Sequence, residues 1–233
     1  MPPTENHSDG SLWWEDLEKR RMQGVFVLGP MDQKRLGQLS SLCPVVHLDP
    51  QSDISEVSSV RIDNVRGGAL AAEHLLAHGH RKMAVLLGDQ PCATERLNGF
   101  KAACAQTPDA HIVELAGDFS SQSGSAAAGL LLGSHKDRTA LFCCNDEMAA
   151  GVIQVLTKEG KRVPEDISIM GFDNSAIAEL VAPPLSSVGV STESIAQAAV
   201  YNLFQQIESN TPYVAHSSII PFLVERVSVS TLA

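Results

Sequence analysis

Residues 60–88 read VRIDNVRGGALAAEHLLAHGHRKMAVLLG. The stretch leaves a β-branched run at 57–63 and enters 65–77, where apolar residues recur at helical spacing. It stops at Gly79, a candidate left-handed cap, and resumes as an aliphatic run at 83–87. Strand, helix and strand in that order, with a strand apolar on both sides, is the pattern of a parallel sheet buried on both faces.

The same alternation extends outward to both ends. Strands are expected at 25–28, 44–48, 57–63, 83–87, 111–115, 139–143, 167–172, 186–189 and 222–227. Helices are expected at 12–21, 33–42, 65–77, 94–105, 121–132, 147–159 and 194–207. Gly133 and Gly160 follow the fifth and sixth helices as Gly79 follows the third, each a candidate left-handed cap. Pro183-Pro184 blocks any helix continuing from 177–181. The fold class is therefore α/β. Its opening is unusual, because a helix comes first where a doubly wound sheet normally begins with a central strand.

Composition narrows the class. With 44% hydrophobic and 19% charged residues, 233 residues suffice for one large domain or two lobes. No apolar run approaches bilayer length, and MPPTENHSDGSLWW has neither a basic nor an apolar signal region, so the expected compartment is the cytoplasm. The five cysteines form neither a disulfide framework nor a CxxC pair and read as small core residues. A formal charge of −10 opposes nucleic acid. The local basic cluster of His78, His80, Arg81 and Lys82 sits at a helix end, where it complements the dipole.

Neither G-x-G-x-x-G nor G-x-x-x-x-G-K-[ST] occurs, and G-x-S-x-G and H-E-x-x-H are also missing. These absences argue against a nucleotide cofactor, a catalytic triad and a metal. The prominent polar residues instead follow predicted strands: Asp49, Asp118, Phe119, Asn145, Asp146, Asp173 and Asn174, with Arg96 near the start of the next helix. Strand C-termini are where open α/β sheets place ligands. An arginine fork, carboxylates, a carboxamide and a ring suit a polyol, whose hydroxyls need paired donors and acceptors while its C–H face stacks. Each residue has a plainer reading beside this one. Asn145 before Asp146-Glu147 fits a helix N-cap, and Phe119 fits the core.

The run at 60–88 resembles the middle of lactose/galactose-repressor (LacI/GalR) family cores. RLNGF at 96–100, GDFSSQSG at 117–124, ALFCCNDEMAAGVI at 140–153 and VPEDISIMGFDNSAIAELVAPPLSSV at 163–188 resemble that family's later motifs in order, and LVER at 223–226 its end. The resemblance implies a periplasmic-binding-protein-like (type I) fold of two doubly wound parallel-sheet lobes joined by three crossovers. The first lobe would be 1–61 plus 190–220, N-terminally truncated, and the second 62–189 plus 221–233. It implies an effector in the cleft between them, a sugar, sugar phosphate or nucleoside/purine, contacted by Asp49, Arg96, Phe119, Asn145 and Asp173. It further implies a homodimer through Ala150, Gln154, Ala178, Leu180 and Val181, with no enzyme activity, cofactor, metal or membrane. Operator DNA would be bound only if a headpiece lay upstream, since nothing here resembles a helix-turn-helix. Val190 stands where many members carry a cleft glutamine. A solute-binding protein of a sugar transporter is the alternative that shares this fold.

Overall fold

A computed structural model of the chain describes residues 21–50, 55–209 and 212–232. Except for Arg21, the helix expected at 12–21 lies outside them. The described elements are β1 (Val25–Leu28), α1 (Gln33–Leu42), β2 (Val45–Leu48), β3 (Ser58–Ile62), α2 (Asn64–Ala77), β4 (Lys82–Leu87), α3 (Pro91–Cys104), β5 (His111–Ala116), α4 (Ser121–Leu132), β6 (Ala140–Cys143), α5 (Asp146–Lys158), β7 (Ser168–Asp173), α6 (Ala176–Leu180), β8 (Ser186–Gly189), α7 (Thr192–Glu208), β9 (His216–Ile219) and β10 (Phe222–Val224). They form two compact units. The larger comprises Ile62–Ser191 with the described residues after Ser218, and the smaller comprises the remaining described residues.

The smaller unit holds a four-stranded sheet in the order β1-β2-β3-β9. Strand alternation divides its side chains between two faces. On one, Val27 and Val45 pack with Leu36 and Leu39 of α1. On the other lies α7, whose Leu203 sits where a side chain on Gly24 would be. Gln206 anchors the same helix by bonding both the N–H and the carbonyl of Val45.

The larger unit has six strands in the order β10-β8-β7-β6-β4-β5. All neighbours are parallel except β10, which runs antiparallel to β8. Its core includes Phe100, Phe142 and Phe172, with the Phe100 and Phe142 rings stacked 5.5 Å apart. From β4 the chain goes to β5 on one side and then to β6, β7 and β8 on the other. That reversal between β4 and β6 opens a crevice at their C-terminal ends.

Four glycines set the helix pairs beside this crevice. A Cβ on Gly68 would lie 1.8 Å from the Arg96 carbonyl oxygen, and one on Gly99 1.8 Å from that of Val65, so α2 and α3 cross backbone to backbone. Gly124 against Met148 and Gly151 against Ser121 join α4 and α5 in the same way. Only residues without a Cβ permit this approach.

Three expectations need correction. Gly79 and Gly160 adopt positive φ, whereas Gly133 has φ −97° and lies outside the left-handed region. His80 is buried, so it is no part of a basic surface; its Nε2 faces the Ser230 carbonyl and its Nδ1 the Thr139 hydroxyl. Burial holds it neutral by lowering its pKa to about 4. Arg81 does complement the helix end, donating to the carbonyls of Leu76 and His80. Cys92 is half-buried, unlike the other four cysteines, which belong to the core as expected. The edge strand β9 went unpredicted because HSSI carries little apolar signal.

Candidate functional site

Arg96 is the centre of the arrangement. It lies on the second turn of α3, a helix that starts three residues before its expected beginning because Pro91 takes the first position, where no N–H is needed. The side chain is only 5% exposed. Its Nε donates to Asn64 Oδ1 at 2.8 Å, its Nη1 donates to the Cys144 carbonyl, and its Cζ sits 3.5 Å above the Phe172 ring. Asp173 Oδ1 lies 3.8 Å from Nη1. A buried guanidinium is costly unless paired and hydrogen-bonded, and these partners meet that demand. Asn64 is held in turn, donating to Glu95 Oε2 at 3.0 Å and to the Ile62 carbonyl.

Asp173 ends β7 with its side chain 46% exposed. Its φ is 100° and that of Asn174 is 51°, both in the region L-residues rarely occupy. Asp146 helps hold this turn. One of its carboxylate oxygens accepts from the Ser175 N–H and hydroxyl, the other from the Ser187 hydroxyl. Ser187 also accepts from the Asn174 N–H, and Arg226 donates to Asn174 Oδ1. Burial raises the Asp146 pKa, against the pull of those donors and of Arg226. Asp146 is therefore a positioning group beneath Asp173.

Asn145 is the N-cap of α5, accepting from the Met148 N–H, and its amide donates to the Phe119 carbonyl at 2.9 Å. Phe119 has φ 66° and lays its ring over Gly88 at the end of β4. Asp118 is occupied with the turn before α4, taking both the N–H and the hydroxyl of Ser120, which lower its pKa. Beside Phe119 and Arg96, a hollow of about 530 Å³ is lined by Gly88, Asp89, Gln90, Pro91, Thr94 and Glu95.

Four of the five expected contact residues, Arg96, Phe119, Asn145 and Asp173, thus lie at the strand C-termini of the larger sheet. Asp49 ends β2 in the smaller unit, is exposed and has φ 48°. The sequence reading missed Asn64, Glu95 and Phe172, whose roles depend on which strand ends become neighbours. Among the expected interface residues, Ala178 is wholly buried in its own unit, where its carbonyl accepts from the Leu185 N–H, so it is withdrawn. Val181 packs partly on the core, Ala150 is half-buried, and Gln154 and Leu180 are exposed.

Residues 72–229 match the model of the periplasmic binding protein-like domain. The chain is 35% identical to the HTH-type transcriptional repressor PurR of Haemophilus influenzae over 232 residues, covering 94% of this chain and 68% of that protein. The chain belongs to the LacI/GalR family of transcriptional regulators. A LacI regulator from a Rhodococcus species superposes with a TM-score of 0.85 at 30% identity, covering 94% of this chain and 82% of that one. A LacI-family regulator from Enterococcus faecium, with bound ribose, superposes at 0.84 with 27% identity, covering 95% and 84%. These matches span the family's effector-binding core. Among the described residues, no helix is long and apolar enough to cross a membrane, and no cluster of potential metal ligands occurs.

Proposed function

We propose that the chain is the effector-binding and dimerising core of a cytoplasmic repressor, and that it answers a small polyhydroxylated molecule, a sugar or nucleoside. The observation that carries this is the buried Arg96 fork fixed by Asn64, Cys144 and Phe172, with the half-exposed Asp173 held beside it in a left-handed turn. Strain of this kind persists where the surroundings impose it and concentrates at ligand sites. A carboxylate next to a fixed cation offers acceptors and donors together, which a hydroxyl pair requires. Phe119 and Asn145 complete the set, and the ribose bound by the Enterococcus relative is a ligand of this kind. Asp49 is assigned to the same effector on the family resemblance alone.

Dimerisation is assigned to α5 and α6 through Ala150, Gln154, Leu180 and Val181. Leu180 is 81% exposed, and a projecting apolar tip suits an interface anchor.

The test is thermal denaturation in the presence of ribose, cellobiose and adenosine. A ligand at a hundred times its Kd adds about 2.7 kcal/mol and raises the melting temperature. Stabilisation by one of them, lost in Asp173→Asn, supports the reading. No stabilisation by any of the three at millimolar concentration contradicts it.

A further inference from the structure

The turn after β4 and the first turns of α3 enclose the hollow of about 530 Å³ that adjoins Phe119 and Arg96. Every residue lining it belongs to the larger unit. Two are carboxylates, Asp89 and Glu95; Gln90 is a carboxamide, Thr94 a hydroxyl, and none of the lining residues is cationic. The volume falls within the range of small-molecule sites.

Glu95 stands in a fixed relation to the Arg96 fork. Asn64, 4% exposed, accepts from Arg96 Nε at 2.8 Å and donates to Glu95 Oε2 at 3.0 Å, so its amide is turned one way only. A single carboxamide thus ties the guanidinium on one side to the carboxylate on the other. Arg96 is already engaged by the Cys144 carbonyl and the Phe172 ring, and Asp173 lies 3.8 Å from it. Where fork and hollow meet, Arg96 therefore stands among three carboxylates, Asp89, Glu95 and Asp173.

We propose that this hollow reads the charge of the effector, taking an uncharged, hydroxyl-bearing part of the molecule and rejecting a phosphate, with Glu95 and Asp89 as the specificity-determining residues. This rests on the effector site proposed above and narrows its ligand class to unphosphorylated sugars or nucleosides. An ionised carboxylate only accepts hydrogen bonds, and so does a phosphate dianion, so the two cannot pair. A hydroxyl donates to Glu95 or Asp89 while accepting from the Gln90 amide or the Thr94 hydroxyl. An ammonium suits the carboxylates but has no lone pair for those donors.

One feature pulls the other way. Helix α3 begins at the hollow, its N-cap Gln90 makes no side-chain cap bond, and a helix N-terminus carries about half a positive charge. Pro91 in the first turn removes one N–H donor, and two full carboxylates outweigh the half charge that remains.

The test is calorimetric titration of the full chain with three matched pairs: ribose and ribose 5-phosphate, cellobiose and cellobiose 6-phosphate, adenosine and adenosine 5′-monophosphate. A carboxylate about 5 Å from a dianion in water weakens its binding about tenfold, so the ester should bind about a hundredfold more weakly than its neutral partner. Asp89→Lys, at an exposed position, should narrow that gap at least about tenfold. Adding Glu95→Gln, which keeps an acceptor for Asn64, should bring the ester within about threefold. In wild type the gap should shrink as salt rises from about 0.05 to about 0.5 M, a change that a Glu95 serving only to hold Asn64 would not produce. An ester that binds wild type as tightly as its neutral partner contradicts the inference and leaves the effector site standing. A gap unchanged in both variants also contradicts it, since shape and not charge then excludes the ester. If none of the sugars, nucleosides or esters binds at millimolar concentration, the effector site falls and this inference with it.

Discussion

Arg96 and His80 are both buried basic residues, and they meet burial in opposite ways. Arg96 is surrounded by acceptors and a ring, whereas His80 gives up its charge and bonds as a neutral imidazole. Folding therefore depresses the His80 pKa from 6.5 to about 4. Its contribution to stability is full above pH 6.5 and is lost as pH falls from there towards 4. At 1.36 kcal/mol per pKa unit the loss approaches about 3 kcal/mol. Chemical denaturation at pH 7 and pH 4 should show a smaller drop for His80→Gln, which keeps one donor and one acceptor. An equal drop in both proteins would remove His80 from the account. Asp146 faces donors only, so Asp146→Asn turns an amide N–H towards Ser175 or Ser187. It should cost about 1–3 kcal/mol and loosen the turn that carries Asp173. Denaturation curves check the first effect, and ligand affinity the second. Asn145 shows how far one residue is legible in a sequence: the cap reading and the site reading are both compatible with its geometry. The left-handed backbones at Phe119 and Asp173 gave no sequence signal, because neither residue is a glycine and the surrounding structure imposes the conformation.

Among the elements, the helix pairs α2 with α3 and α4 with α5 determine where the site residues stand. Gly151→Ala drives a Cβ to 2.0 Å from the Ser121 carbonyl oxygen, and Gly68→Ala drives one to 1.8 Å from that of Arg96. Each should lose about 3 kcal/mol or more, since backbone has nowhere to retreat. Gly129→Ala, with nothing within 4 Å, should gain about 0.5–1 kcal/mol as a helix-interior glycine replaced. Melting temperatures of the three variants decide whether close approach or helix propensity governs. The sequence showed these elements well where periodicity was strong: β1, α1 and α4 have their expected bounds, and β4, α2, α5 and α7 differ only at the ends. It failed at β9, a polar edge strand with alternating exposure, and at the start of α3, where Pro91 was not read as a first helical residue. It was silent on the glycine contacts, which require knowing which helices are neighbours.

For the molecule as a whole, membership in a repressor family and the fold that accompanies it were legible from motif order, and the effector was not. The family resemblance carries the residue types at the strand ends, but a ligand is chosen by distances and hydrogen-bond directions that no motif records. Arg96 and Asp173 are proposed to clamp a polyhydroxylated effector. Calorimetric titration tests it most directly, comparing wild type with Asp173→Asn, using whichever of ribose, cellobiose and adenosine stabilises the protein most. Asparagine tolerates the left-handed backbone, so the variant removes charge and leaves the turn. Asp173→Asn is expected to lose about 2–3 kcal/mol of binding energy, roughly thirty- to a hundredfold or more in Kd. Equal Kd for the two proteins, with the same melting temperature in the absence of ligand, would contradict it.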